Sequence, residues 1–240
     1  MYMPHASEYE TAAVIVAAGK GLRFDNQGKK QFSMVSGHPV LAWTVSAFSR
    51  TLCKNHILIV AQEEDISVMK NEIMEHYSFF EALQFVKGGE SRRESVYNGI
   101  VSLAPGVRWV AIHDGVRLAI TPELITAVCK EAHKRGAAML AIPATDSTFI
   151  SSGKTVEKYL GRNGLWQAQT PQVFKRDKIL EAHQKARDAN FHADDDGILY
   201  RMYIGDVHVV QGDDKNIKIT YKRDLIVAEE ILNERQEYPK

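Results

Sequence analysis

An α/β fold is what this chain predicts: a mostly parallel sheet with helices on both faces, plus a protruding β-hairpin arm. Two observations carry that expectation. Short apolar runs alternate with helical patterns along most of the 240 residues, and a strand that must cross a helix to reach its neighbour pairs with it in parallel. The alternation breaks once, at 145–161, where two short runs flank a glycine-containing turn. The organisation is therefore Rossmann-like. It reads as a single domain over 12–236, with 145–161 as a dimerisation arm and 1–11 as a loose N-terminal extension.

The elements follow in order. Residues 13–16, Ala-Val-Ile-Val, form a buried strand ended by Gly19-Lys20-Gly21. Pro39 opens a helix whose Val40, Trp43, Ala47 and Phe48 keep a helical period. A second strand over 56–61 precedes a helix over 66–76, and a third over 82–86 stops at Gly88-Gly89. Ser91 and Glu94 form a capping box for a helix reaching Leu103. A strand at 109–113 is followed by a helix capped by Thr121, started by Pro122 and closed at Gly136. Residues 137–142 give a fifth strand. Beyond the hairpin come a strand at Val173-Phe174, a helix over 178–189, a short helix over 195–202, strands at 207–210 and 217–220, and a last helix from Arg223. An isolated hairpin is marginal in water, so the arm needs something to pack on, and a second subunit fits.

Composition narrows the class. Forty-five per cent apolar and 25% charged residues suit a sizeable core. Thirty basic residues balance 30 acidic ones, so no global field draws the chain to nucleic acid or a membrane. Any anion site must be built locally. Cys53 and Cys129 lack metal-ligand spacing and fit a reducing, cytoplasmic setting. No apolar run approaches the roughly 20 residues of a spanning helix, and the first eleven residues do not read as a signal peptide.

Five motifs carry chemistry. Ala17-Ala18-Gly19-Lys20-Gly21 is a glycine-rich turn at a strand's carboxyl end, able to aim several backbone N–H groups at one anion. Arg23 adds a bidentate fork and Lys30, within Lys29-Lys30-Gln31-Phe32, a mobile charge. Lys30 is seven residues on from Arg23, a step spanning up to roughly 25 Å of chain, enough for both to close on one triphosphate. In the second motif, Gly88-Gly89-Glu90 frees the backbone to approach a flat ligand to which Ser95 can donate; a plain capped helix explains it equally well. The third, His113-Asp114-Gly115-Val116-Arg117, puts a carboxylate where open α/β sheets bind ligands. Asp114 and Arg117 meet either a ligand or each other, and His113 reads as a satisfied strand-end histidine. The fourth, 162–172, gathers hydrogen-bonding groups around Trp166, with Arg162 and Thr170 as phosphate candidates and Trp166 itself as core. In the fifth, Lys218 interrupts an apolar strand, a costly placement unless it meets an anion. The Asp194-Asp195-Asp196 run reads as helix capping and solvated charge rather than a metal site.

On these residues the chain resembles the 2-C-methyl-D-erythritol 4-phosphate cytidylyltransferases of the non-mevalonate isoprenoid pathway, from Ala13 to the final helix. Arg162-Asn163-Gly164-Leu165-Trp166 and Thr170-Pro171-Gln172 are the most specific parts. The resemblance implies that Ala17, Ala18, Gly19 and Gly21, with Arg23 and Lys30, hold the CTP triphosphate, with Arg23, Lys30 and Lys218 catalytic. Gly89, Glu90 and Ser95 would line the cytosine site; Asp114, Gly115, Arg117, Ser147, Arg162, Thr170 and Lys218 would hold the sugar-alcohol phosphate. It further implies a homodimer whose arms bring Ser147 and Arg162 to the neighbouring site, and Mg²⁺ bound mainly through the triphosphate, with no protein metal ligand assigned. Departures are Lys29 for a usual proline, which predicts a looser loop; Phe24 for methionine; Val116 and Leu118 for alanine and proline, which predict a differently aimed Arg117; Ser147 for threonine; and Lys215 for an acidic residue, which removes a substrate-hydroxyl contact. Residues 193–197 match a Thr-Asp-Asp-Ala-Ser stretch only in part. Ribitol 5-phosphate as acceptor and a nucleotide-binding protein without turnover are the alternatives. A dinucleotide-dependent oxidoreductase fits poorly, because Phe24 stands where its third glycine belongs.

Overall fold

A computed structural model describes residues 11–235, except 20, 22, 25–28, 52, 54–55, 74–75 and 78–82, together with residue 239. Lys20, Leu22 and Ala82 lie outside the described residues, and so does the N-terminal extension save Thr11, which opens the first strand rather than preceding it.

The chain runs β1 (Thr11–Val16), β2 (Met34–Val35), β3 (His38–Pro39), α1 (Val40–Ser49), β4 (Ile57–Ala61), α2 (Glu63–Val68), β5 (Gln84–Lys87), α3 (Arg92–Val101) and β6 (Trp109–Asp114). It continues through α4 (Pro122–Arg135), β7 (Ala137–Pro143), β8 (Thr148–Ser152), β9 (Thr155–Leu160), β10 (Trp166–Lys175), α5 (Arg176–Asp188), α6 (Asp196–Tyr203), β11 (His208–Gln211) and α7 (Asp224–Arg235). Seven strands form one sheet in the order β11-β7-β10-β6-β1-β4-β5. All neighbours pair in parallel except β10, which is antiparallel to both β6 and β7.

Alternation along the central strands explains why both faces are covered. Successive side chains of a strand point to opposite faces. Ala13 and Ile15 face Leu41, Val45 and Phe48 of α1 and Ile125, Val128 and Ala132 of α4. Ala12 and Val14 face Val96 and Ile100 of α3, Ile179 and Ala182 of α5, and Leu199 and Tyr200 of α6. A strand apolar on both faces needs two layers of helix, which is what the unbroken apolar runs specify. Cys53 and Cys129 are free thiols buried together in the first layer; the Cys53 thiol beside it and burial push the Cys129 pKa up. A third cluster joins Ala228 and Leu232 of α7 to Phe24, Trp43, Leu118 and Ile219.

The caps form as their residue types require. Ser91 Oγ accepts from Glu94 N at 3.1 Å, but Glu94 reaches back to the N–H of Glu90, at 2.8 Å, instead of to the cap's own. Thr121 caps α4, Pro122 is at its first turn, and Gly136 ends it at φ 100°.

Four expectations are corrected. The helix expected at 66–76 starts at Glu63, where Glu63, Glu64 and Asp65 face the positive helix end, and closes in a π-helical turn, Met69–Ile73. The strand at 173–174 is ten residues long, and Pro171 is accommodated where its register breaks between Ala168 and Gln172. Trp166, read as core, is 43% exposed at the strand's first position. Residues 217–220 form no strand: only Ile219 N bonds to Val116 O, at 3.0 Å, because the chain after β6 turns instead of extending. The hairpin forms as β8 and β9, paired with each other in a separate two-stranded sheet.

α3 sits unusually close to the sheet. A Cβ on Gly99 would stand 2.6 Å from Val14 Cγ1 and 2.8 Å from Val60 Cγ2, and β-branched side chains in central strands have little freedom to withdraw. Gly99→Ala gains about 1 kcal/mol of helix propensity against overpacking of about 1–3 kcal/mol. We expect a net loss of up to about 2 kcal/mol, read as a lower urea midpoint with unchanged slope; a variant as stable as the parent would show that α3 can lift off.

Candidate active site

The sheet order places a crevice at the carboxyl end of β1, where the chain goes to β4 on one side and to β6 on the other. Open α/β sheets bind ligands at such switch points. The loops after four parallel strands line one cleft of about 240 Å³: Ala17, Ala18 and Gly19 after β1, Gln62 after β4, Gly89 and Glu90 after β5, and Asp114 at the end of β6. Lys30 and Lys218 complete it. Lys30 Nζ donates to Ile219 O at 3.1 Å. Burial lowers the Lys30 pKa and the charges of Lys218 and Arg23 lower it further, against the pull of Asp114. Arg23 is exposed, yet close enough for its charge to act on Lys30. Of the three cations expected to converge, Lys30 and Lys218 line the cleft, while Arg23 is outside its lining and reaches Lys30 only by charge.

Asp114 is the electrostatic centre of one side of the cleft. Its Oδ2 lies 2.7 Å from Lys218 Nζ and 3.9 Å from Arg117 Nε, and its Oδ1 accepts from Arg92 Nε at 3.1 Å. Burial alone would raise its pKa; Arg92, Lys218 and Arg117 overcome that and hold it well below the usual carboxylate range. Arg117 does not line the cleft: its NH1 donates to Asn216 O at 2.7 Å. Gly115 fits tightly, its N–H bonded to Val16 O and any Cβ 3.2 Å from Ile15.

The glycine-lined side of the cleft is built from tight backbone approaches. A Cβ on Gly88 would meet Ala18 Cβ at 2.5 Å, so glycine is required there by packing. Ser95 Oγ accepts from Gly89 N at 3.0 Å and donates its one proton to Ser91 O at 2.9 Å. That corrects the expected donation to a base: the hydroxyl orders the turn instead. Gln31 Nε2 donates to Ala17 O and to Asp65, both at 3.1 Å. Lys29 is paired with Asp65 and with Glu64, so the loop lacking its usual proline is anchored to α2 rather than loosened. Gly21, at φ 65°, packs next to Lys30.

Ser147 and Arg162 are exposed and lie outside this cleft; Arg162 NH1 donates to Thr145 O at 3.4 Å within the arm. Lys215 is turned away, to Glu234 at 2.5 Å. Lys218 is not forced into a buried strand, its side chain being about a third exposed (36%). Asp195 caps α6 through Ile198 N, but Asp196 is not solvated charge: it is buried and bonded by Arg92 NH1 at 2.7 Å. Arg92 and Gln62, which donates to Ala18 O at 2.9 Å, line the cleft and were passed over in the sequence reasoning, whereas Asp196 was weighed there and read as solvated charge. Arg92 alone had a signal, sitting inside a motif already singled out.

Thr170, buried, joins strand β10 to this centre. Its Oγ1 accepts from Asp114 N at 3.1 Å and, because the Arg117 carbonyl can only accept from Nε2 of the neutral His113 ring, donates to His113 Nδ1 at 3.0 Å. His113 Nε2 is then the protonated nitrogen and donates to Arg117 O at 3.3 Å. Burial drives the His113 pKa down to about 3, as does the charge of Arg117, while Asp114 pulls the other way. The unfolded chain takes up a proton near pH 6.5 that the folded one refuses. This contribution is therefore complete above that pH and is lost as pH falls toward 3, at up to about 1.4 kcal/mol per unit. Urea titrations between pH 7 and 5 should show His113→Gln losing stability less steeply than the parent; parallel slopes would contradict a neutral His113.

Comparison with known proteins agrees with this geometry. The family model of 2-C-methyl-D-erythritol 4-phosphate cytidylyltransferase (IspD) matches residues 11–234. The chain is 38% identical over 231 residues to the enzyme of that name from Alkaliphilus oremlandii, covering 95% of this chain and 97% of that one. It is 36% identical over 222 residues to the one from Caldanaerobacter subterraneus subsp. tengcongensis, covering 92% and 98%. The crystal structure of 4-diphosphocytidyl-2C-methyl-D-erythritol synthase from Anaerococcus prevotii superposes with a TM-score of 0.80 at 30% identity, covering 93% of this chain and 98% of that one. A seven-stranded mixed sheet, a glycine-lined crevice at its switch point and a match across nearly the whole length lead to one conclusion: the chain belongs to the 2-C-methyl-D-erythritol 4-phosphate cytidylyltransferase family.

Proposed function

We propose that the protein transfers CMP from CTP to 2-C-methyl-D-erythritol 4-phosphate, releasing pyrophosphate and forming 4-diphosphocytidyl-2-C-methyl-D-erythritol. The observation that carries this reading is the meeting of Lys30, Lys218 and the Arg23 charge beside a glycine loop, opposite an ionised Asp114. The triphosphate lies along Ala17–Gly21 with Arg23 and Lys30 on its oxygens. The base sits between Ala17, Ala18, Gly89 and Glu90, in a turn ordered by Ser95. The acceptor's hydroxyls meet Asp114, while Lys218 and Thr170 lie on the acceptor side and Arg117 braces Asp114; the Gly115 backbone, expected to share that contact, is already bonded to Val16 O and Thr44 Oγ1.

The acceptor phosphate attacks the α-phosphorus in line, and pyrophosphate leaves. With a second pKa of about 6, a phosphomonoester is largely dianionic at neutral pH, so it needs no general base. His113, held neutral and bonded on both ring nitrogens, is not required as one. The chemistry needs fixed positive charge where two anions meet. One charge pair at about 4 Å and an effective dielectric near 20 is worth about 4 kcal/mol, and a preorganised cation supplies it without reorganisation.

Magnesium fits this cleft as a passenger of the triphosphate. Among the described residues the carboxylates lining it are Glu90 and Asp114, and Asp114 is already shared by Arg92 and Lys218; Mg²⁺ would keep waters and phosphate oxygens as ligands. When bound it neutralises phosphate charge and orients the chain of phosphates.

The arm supports a dimer. Phe149 and Tyr159 are direct cross-strand partners, and both are exposed, as are Ile150 and Val156. A second copy covering that face would bring Ser147 and Arg162 to its neighbour's acceptor pocket. No helix among the described residues is long and apolar enough to cross a membrane, and a cytoplasmic setting is part of the same reading.

Pyrophosphate release with CTP and either methylerythritol phosphate or ribitol 5-phosphate tests the reaction; we expect turnover with the first, and none with either would favour a binding protein. Arg23→Ala and Lys30→Ala should each cut kcat by on the order of 100-fold. Near-parental rates in both would sink the assignment. Sedimentation should give a dimer that Phe149→Asp dissociates; a fully active monomer would remove the shared site.

A further inference from the structure

Behind the acceptor side lies a second carboxylate that the proposed reaction does not use. Asp196, at the start of α6, is 1% exposed and does not line the cleft. Its Oδ2 takes Arg92 NH1 at 2.7 Å, and His183 Nε2 stands 3.2 Å from its Oδ1. Burial would raise its pKa, but the guanidinium and His183 outweigh that and keep it ionised. Arg92 spends its other arm, Nε, on Asp114 Oδ1 at 3.1 Å.

One planar cation thus bridges two buried anions that come from separate elements. The arrangement is a positioning device by its chemistry. Guanidinium donors are fixed relative to one another, so anchoring NH1 on Asp196 sets where Nε points. Nε claims one oxygen of Asp114, leaving Lys218 and the more distant Arg117 on the other. Without the rear anchor, Arg92 is free to swing its whole fork onto Asp114 and occupy it as a two-toothed partner. The carboxylate would then be turned and its acceptor-facing lone pairs consumed.

We propose that Asp196 is a positioning residue for the acceptor site, acting through Arg92 to fix the orientation of Asp114. The proposal rests on the reading of Asp114 as an acceptor contact. It also gives α3 a double role, because the helix that carries Ser95 on the nucleotide side carries Arg92 at its first position.

Steady-state kinetics on the full chain distinguish this from a merely structural ion pair. Asp196→Asn keeps the shape and removes the charge. We expect the KM for methylerythritol phosphate to rise by on the order of tenfold, the scale of one hydrogen bond to a charged group, with the KM for CTP within about twofold of the parent. Arg92→Lys, which keeps the charge but loses the fork, should raise the acceptor KM similarly. The double variant should be no worse than Arg92→Lys alone, since Asp196 acts through Arg92. An unchanged acceptor KM in folded Asp196→Asn, a parallel rise in both KM values, or multiplying effects in the double variant would each overturn the proposal. Arg92→Lys alone carries the test if thermal unfolding shows that Asp196→Asn does not fold. Asp114→Ala is the control: an unchanged acceptor KM there removes the acceptor reading and this proposal with it, whereas a raised KM beside a silent Asp196→Asn removes this proposal only.

Discussion

The Asp114 carboxylate is ionised at the carboxyl end of a central strand, in a place almost closed to water. An isolated buried carboxylate would neutralise itself by taking up a proton. It stays charged because Arg92 arrives from α3, Lys218 from the segment before α7, and Arg117 from the turn just after β6. Each cation belongs to a different piece of chain, so the charge is stable only when all three pieces are docked. The same condition assembles the cleft. Thr170 extends it to β10 by accepting the Asp114 N–H and fixing the His113 tautomer. A requirement for satisfying one anion therefore holds the ends of β6, β10 and α3 in register with one another.

The opposite wall is organised by the reverse problem. Lys30 stands near Lys218, which Asp114 already holds, and burial first, then the Lys218 charge, lowers the Lys30 pKa against the pull of Asp114. The loop bearing Lys30 is held by neutral and ionic contacts that avoid the cleft: Gln31 to the Ala17 carbonyl and Asp65, Lys29 to Asp65 and Glu64. A triphosphate entering this region relieves repulsion between the lysines instead of having to gather them. Preorganisation of this kind is what a reaction between two anions needs, and it explains why no nucleophile or base of the protein has to take part.

What the sequence disclosed follows from which interactions are local. The βα rhythm was legible because a strand covered on both faces must be apolar throughout, as 13–16 and 57–61 are. Caps at Ser91 and Thr121 were legible because cap and recipient lie three residues apart. Residues 217–220 misled because Ile217 and Ile219 alternate with polar neighbours, and a loop that packs both isoleucines on the third cluster produces the same pattern as an edge strand. Asp196 misled for the opposite reason. Its partner Arg92 is 104 positions away, so nothing near it in the chain distinguishes a buried carboxylate from a solvated one. Lys29 was misjudged likewise: the loss of a proline is local, while the compensating Asp65 is on another element.

The arm shows where chain-level and site-level constraints part. Strands β8 and β9 pair only with each other, and two strands alone cannot bury enough apolar surface to stay ordered in water. Their Phe149–Tyr159 pair faces solvent in the single chain, which is a poor use of two large aromatic rings unless another surface covers them. Ser147 and Arg162 sit at the two ends of that hairpin, outside the cleft that their own chain forms. The core can therefore fold, and the nucleotide side can assemble, from one copy. On the proposed dimer, completing the acceptor pocket would fall to a neighbour, and the exposed Phe149–Tyr159 pair of the arm is the surface that would attract it.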